Sequence, residues 1–383
     1  MDRFKEIVEF IRSLYPGLDP VPLHAPVFRG NEKKYLAECI DTTYVSYVGR
    51  FVTRFEEMTA AYVGAEHAVA MVNGTAALQI ALQLAGVGHD DEVLTQALTF
   101  VATANAIHHA GAEPVFIDSE RTQLGMDPEK LNDFLERNAL RQAKGGVLNK
   151  TTGRLIAACV PVHIFGHPAR IDEIIRICQS YEIPVVEDAA ESIGSTCKGK
   201  HMGTFGRMGV LSFNGNKIIT TGGGGMMVTD DVNLARRARH ITTTAKVPHP
   251  WEYYHDVIGY NFRMTNVTAA IGCAQMEQID RYLASKREIA GRYARFFENM
   301  GIPFFSEQPG CSSNYWLNTI FLDNRKERDE FLRYTNEHGI MTRPAWTLLN
   351  KLPMYTQCSA TNLDNARWLE DRLVNLPSSI LLK

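Results

Sequence analysis

Between residues 67 and 188, short apolar runs alternate with stretches of helical period, and this alternation constrains the fold more than any other feature. HAVAMV, EVLTQA, PVFID, LIAACVPV and IPVVED read as strands. TAALQIALQLAG, FVATANAIHHAG and PARIDEIIRICQSYE between them repeat apolar residues at helical spacing. A strand followed by a helix returns to the same sheet running parallel, so the pattern predicts a mostly parallel sheet with helices on both faces. The strands are apolar throughout, as expected when both faces are covered. After residue 230 long helical patterns dominate, followed by YWLNTIFLD and RDEFLRYTNEHG. We therefore expect a large α/β domain over 1–250 and a smaller α+β domain over 251–383. The large domain is expected to include an amphipathic N-terminal helix carrying Ile7, Val8, Phe10, Ile11 and Leu14.

Composition narrows the function classes. The net charge is only -3 and no long basic run occurs, which argues against nucleic acid and anionic membranes as partners. No window approaches eighteen uninterrupted apolar residues, so no transmembrane helix is expected. The acids and helical spacing of the first residues do not suit a signal peptide. The seven cysteines are scattered and form no CxxC, which suits reduced thiols in a cytoplasmic protein.

Ligands of open α/β sheets bind at the carboxyl ends of strands. After HAVAMV comes NGTAAL: Asn73-Gly74 turns the chain and Thr75 opens a helix whose N–H groups favour an anion. Thr75 as a plain helix cap explains the same residues. IPVVED ends in Asp188, a carboxylate that needs a partner if buried, with Glu191 three residues on. No HExxH or Cys/His cluster accompanies the pair, so a metal is the poorer explanation. His163 and His167 lie four apart, but Gly166 and Pro168 break any helix between them. His163 follows a strand end and either borders the site or is structural.

The stretch SFNGNKIITTGGGGMM places Lys217 between the strand ending at Ser212 and the run Gly222–Gly225. A lysine in a partly desolvated pocket attacks carbonyls and forms Schiff bases. The glycines would let the backbone pass close to a planar ligand, or they make a flexible turn. A helix-start anion site, a strand-end Asp188 and Lys217 together meet the needs of pyridoxal phosphate: donors for its phosphate, a carboxylate for its ring nitrogen, an amine for its aldehyde. Phe100 offers a ring to stack on.

NGTAALQIAL, ALTFVATANAI, VHIFGHPARID, VEDAAESIGS, SFNGNKIITTGGGGMMVTDD and GYNFRMTNVTAAIG resemble, in order, the signatures of the DegT/DnrJ/EryC1/StrS family of pyridoxal phosphate-dependent sugar aminotransferases. The resemblance implies a fold-type I transferase with a mostly parallel seven-stranded sheet and a homodimer with shared active sites. It implies that Lys217 bonds the cofactor, Asp188 pairs with the pyridine nitrogen, and Gly74, Thr75 and Ser212 bind phosphate. Phe100 would stack on the ring, and Asn261 would reach the phosphate of the neighbouring subunit's cofactor. Many members carry glutamine or histidine where Glu191 stands, facing the ring hydroxyl. Glu191 must then be protonated, turned away, or bonded to a phenol that keeps its proton.

The run LHAPVFRGNEKKYLAECIDTTYVSYVGRFVTRFEE resembles the branch acting on UDP-linked 4-keto-6-deoxy-N-acetylhexosamine, on routes to bacillosamine or legionaminic acid. The expected reaction moves an amino group from glutamate to C4 of that nucleotide sugar, by ping-pong kinetics. A dTDP- or GDP-linked 4-keto-6-deoxyhexose is the alternative substrate. A dehydrating relative carries histidine in place of the lysine, which Lys217 argues against. A non-catalytic sensor on the same fold would have no need of Lys217 and Asp188, and NGTAAL is no GxGxxG nicotinamide fingerprint.

Overall fold

The computed structural model describes residues 2–143 and 145–381. Its central sheet contains β1 (His67–Met71), β2 (Glu92–Gln96), β3 (Glu113–Ile117), β4 (Ile156–Val160), β5 (Val186–Asp188), β6 (Met208–Ser212) and β7 (Gly225–Thr229). The groups β3-β2-β4 and β5-β6-β7-β1 meet through parallel bridges Cys159–Val185 and Val162–Asp188. The order across the sheet is thus β3-β2-β4-β5-β6-β7-β1. Only β7 runs antiparallel to its neighbours. The chain passes from β6 to β7 without a helix, so it returns in the opposite direction. That helix-free connection carries Lys217.

Successive residues of a strand face opposite sides of the sheet. Met226 and Val228 belong to the core on one face and Met227 to the core on the other. Both faces are covered, which is why most of the strands are apolar on both sides rather than alternating with polar residues. The helix Gly74–Ala85 after β1 starts where the Asn73 side chain accepts the Ala76 N–H at 2.8 Å. It ends at Gly86, whose φ of 101° is left-handed and costs a glycine little.

The C-terminal part pairs strands Asn318–Phe321, Leu373–Leu376 and Arg343–Pro344 into an antiparallel sheet. The long helix Ile279–Asn299 packs Ile289, Tyr293 and Phe297 into a core shared with Phe331 and Leu376. Ile7, Val8, Ile11 and Leu14 of the N-terminal helix Asp2–Leu14 enter this same core. The helix forms as its spacing predicts, but its apolar stripe packs on C-terminal elements rather than within 1–250. Helical spacing identifies a buried face and is silent on what buries it. No helix of the described residues is long and apolar enough to cross a membrane.

Candidate active site

A cavity of about 650 Å³ opens at the carboxyl ends of the central strands, and Gly74, Thr75, Phe100, Asp188, Glu191, Ser212 and Lys217 all line it. Asn261 does not. It is exposed and bridges Thr243 outside the cavity.

The helix Gly74–Ala85 directs its N-terminus into this space, with Gly74 and Thr75 as its first residues. The first N–H groups of a helix have no partner within it and carry partial positive charge. A side chain at position 74 would sit 3.1 Å from the Ser212 Cβ and 3.3 Å from its Oγ. Glycine there brings the Ser212 hydroxyl against the helix start, and the two together suit an anion.

Asp188 ends β5 and is buried. Its Oδ2 accepts the Thr103 hydroxyl at 2.8 Å and its Oδ1 the Ala190 N–H at 3.2 Å. Burial raises its pKa above the ordinary carboxylate value, opposed by Thr103, Ala190 and the charge of Lys217. A cation placed against this carboxylate would favour its ionised form.

Lys217 lies 3.3 Å from Oε1 of Glu191, with both side chains largely buried. Its Nζ also sits 3.8 Å from the centroid of the Trp316 ring, close enough for a cation–π attraction. The other Glu191 oxygen accepts the Phe165 N–H at 2.7 Å. Glu191 is therefore not turned away: it lines the cavity and faces the amine. Burial raises its pKa, and the Lys217 charge and Phe165 N–H oppose the rise.

None of Gly222–Gly225 borders this cavity, so the backbone of the glycine run does not pass close to a ligand there. A Cβ on Gly225 would lie 2.3 Å from the Asn73 carbonyl oxygen, and one on Gly224 would lie 2.3 Å from Thr221 Oγ1. Gly225 lets β7 pass tightly beside the turn that starts the cavity-facing helix, and Gly224 fits closely against Thr221. His163 is also structural: its Nε2 lies 3.0 Å from Glu187 Oε2 and its Nδ1 accepts the Ala169 N–H at 3.0 Å, all in the interior. His167 is buried against the rings of Phe305 and Tyr315.

The residues present fit pyridoxal phosphate. The cavity presents an amine, a buried carboxylate at a strand end, a helix N-terminus with a hydroxyl beside it, and the half-exposed ring of Phe100. Residue spacing did not single out Thr103, which orients Asp188, nor the part of the lining that comes from the two ends of the chain. That part contains Leu23, His24, Trp316, Arg343, Trp346 and Asn375. Trp346 stacks on Phe165 at 4.7 Å between ring centroids. Only Leu23 and His24 lay in a stretch that resemblance had marked, the start of LHAPVF.

The pattern of the DegT/DnrJ/EryC1/StrS aminotransferase family matches residues 26–383. The chain belongs to this family. The EpsN protein of Bacillus subtilis (strain 168) is 40% identical over 334 residues, covering 87% of this chain and 83% of EpsN. The GDP-perosamine synthase of Escherichia coli O157:H7 is 37% identical over 360 residues, covering 94% of this chain and 93% of that protein. The crystal structure of a DegT DnrJ EryC1 StrS aminotransferase from Brucella abortus superimposes with a TM-score of 0.81 at 27% identity, covering 91% of this chain and 90% of the other. The family member described here is a fold-type I, pyridoxal phosphate-dependent sugar aminotransferase.

Proposed function

We propose that this aminotransferase moves an amino group from glutamate to C4 of UDP-2-acetamido-4-keto-2,6-dideoxyhexose, acting in the cytoplasm as a homodimer. When bound, pyridoxal phosphate supplies the electron sink and carries nitrogen between the two substrates. Lys217 holds the cofactor and moves the proton. Its Nζ takes the proton from the donor's Cα in one half-reaction and delivers one to the sugar's C4 in the other. Glu191 Oε1, at 3.3 Å, keeps this amine aimed into the cavity. Asp188, held by Thr103 and Ala190, faces the cationic ring nitrogen. The Gly74 and Thr75 N–H groups and the Ser212 hydroxyl bind phosphate, Phe100 covers a ring face, and Asn261 reaches the partner's site. Because donor and sugar enter the same site in turn, and the first product leaves before the second substrate binds, the kinetics are ping-pong.

The observation that carries the choice of sugar is the position of Leu23 and His24. They belong to the run that resembles the UDP-acetamido branch, and both line the cavity that holds Lys217. A GDP-linked 4-keto-6-deoxyhexose is the second reading, favoured by likeness to the Escherichia coli GDP-perosamine synthase. The test is kcat/KM for the UDP-acetamido, GDP and dTDP keto-sugars with glutamate under identical conditions. We expect the acetamido sugar to be preferred by about 10²-fold or more, because a site built for an amide leaves polar groups unpaired with a hydroxyl. A preference for the GDP sugar would replace the first reading with the second.

A further inference from the structure

We propose that His24 hydrogen-bonds an uncharged polar substituent on the sugar ring of the nucleotide-sugar substrate and so sets which keto-sugar the cavity accepts. This deepens the proposed function and rests on the cavity taking a nucleotide sugar beside Lys217.

Four observations carry it. First, His24 is held in place from both sides. Leu23 accepts the Ser378 N–H at 2.7 Å through its carbonyl, and the Ala25 N–H donates to Ser379 Oγ at 2.9 Å. One bridge further back, Val21 pairs with Ile340. The segment is laid against the C-terminal strands, and the backbone of His24 has little freedom to withdraw.

Second, both ring nitrogens of His24 are shielded from solvent and make no hydrogen bond of good geometry among the described residues, the nearest polar group being the Asn216 backbone. The nearby Asn216 carbonyl already accepts the Trp316 indole N–H at 2.6 Å. Shielded polar atoms normally find partners. His167 is unpartnered too, but it lies in the interior among aromatic rings and does not line the cavity that holds Lys217. His24 lines the one that holds Lys217.

Third, the ring is neutral. Burial, then the charges of Lys286 and Lys217, push its pKa well below the ordinary histidine value, with the Asn216 backbone opposing. A neutral imidazole has one donor and one acceptor. Phosphate and carboxylate offer only acceptors and would leave one nitrogen unmet. A ring hydroxyl or an acetamido group offers both a donor and an acceptor.

Fourth, the anionic parts of the substrate have other places to go. Arg343 lines the same cavity, and its hydrogen bonds run from Nη1 to the Asn336 Oδ1 and to the Thr342 carbonyl, both neutral and both at 2.8 Å. Its charge is available to a diphosphate or carboxylate, which leaves the neutral ring of His24 to the sugar.

The experiment separates the two half-reactions in the holoenzyme. Single-turnover absorbance follows the cofactor with glutamate alone, and then with each keto-sugar alone. Equilibrium binding of the aminated nucleotide sugar gives a readout independent of turnover. For His24→Ala we expect a loss of roughly 30-fold in the sugar half-reaction, matching weaker product binding, and a donor half-reaction within about twofold of wild type. His24→Gln, which keeps a donor and an acceptor, should recover part of the loss. Selective loss in the sugar half supports the inference whichever sugar the wild type prefers, so a failed substrate assignment is seen separately in the wild-type panel. Equal losses in both halves, or an unchanged sugar half with unchanged product binding, would overturn it.

Discussion

The two walls of the cavity differ in how they are built. On the sheet side, Asp188, Glu191, Ser212 and Lys217 follow strand ends within one stretch of chain, and Gly74 and Thr75 begin the helix after β1. Each is placed by an element whose core position is settled by both sheet faces. In the rest of the lining, Leu23 and His24 come from the N-terminal segment, while Trp316, Arg343 and Trp346 come from the C-terminal part. These are brought together by bonds between residues hundreds of positions apart, such as Ser378 to Leu23. The sheet wall therefore suits steps common to both substrates, and the composite wall suits discrimination between them. Loop and segment positions tolerate change better than strand ends, so substrate choice can vary while the shared chemistry is kept.

That contrast predicts a graded set of effects. The largest is on the sheet wall: Lys217→Ala should lose turnover by about 10⁴-fold or more in both half-reactions, since in the proposed mechanism one amine holds the cofactor and moves both protons. Borohydride treatment of wild type followed by peptide mass spectrometry should find the cofactor on Lys217, and a label on another lysine would break the assignment. Next, Asp188→Asn should slow both halves by roughly 10²-fold with saturating cofactor, as expected for loss of a preorganised charge. A loss confined to one substrate would erase the distinction between the walls.

A smaller effect is expected on the composite wall. Arg343→Gln should raise KM for the anionic substrates about 10-fold with kcat nearly kept, and the loss should shrink as salt is added. A kcat defect with unchanged KM would move Arg343 out of the binding role.

The smallest effect on turnover is expected outside the cavity, and it sharpens the contrast between the two unpartnered histidines. Burial lowers the His167 pKa from 6.5 to about 3. The unfolded chain therefore takes up this proton first as pH falls, so the contribution is present above pH 6.5 and is lost progressively down to about 3. Replacing His167 by leucine should reduce the acid slope of unfolding free energy by up to about 1.4 kcal/mol per pH unit in that window. His201, with its pKa lowered to about 4, would leave part of the slope in place. Denaturant unfolding at several pH values measures it, and the sugar half-reaction near neutral pH should stay unchanged.

Much of the sheet wall was legible in the sequence because local rules place it. Alternating apolar runs give strands and helices, and chemistry follows strand ends. Lys217, Asp188, Glu191, Thr75, Ser212 and Phe100 were found that way and do line one cavity. The glycine run was legible only as a need for space. Its neighbours, Asn73 and Thr221, lie where the sheet order puts β7, between β1 and β6.

What the sequence determined by itself is therefore the set of elements, the faces they bury and the reactive residues at their ends. These depend on spacing of 2 and about 3.6 residues and on backbone capping, which are local. The tertiary structure alone decided that the N-terminal helix packs on the C-terminal core, that Thr103 steadies Asp188, and that His24 faces the cavity with Arg343 and Trp346. Those outcomes depend on which distant surfaces become neighbours, and side-chain chemistry acts over a few ångströms of space regardless of separation along the chain.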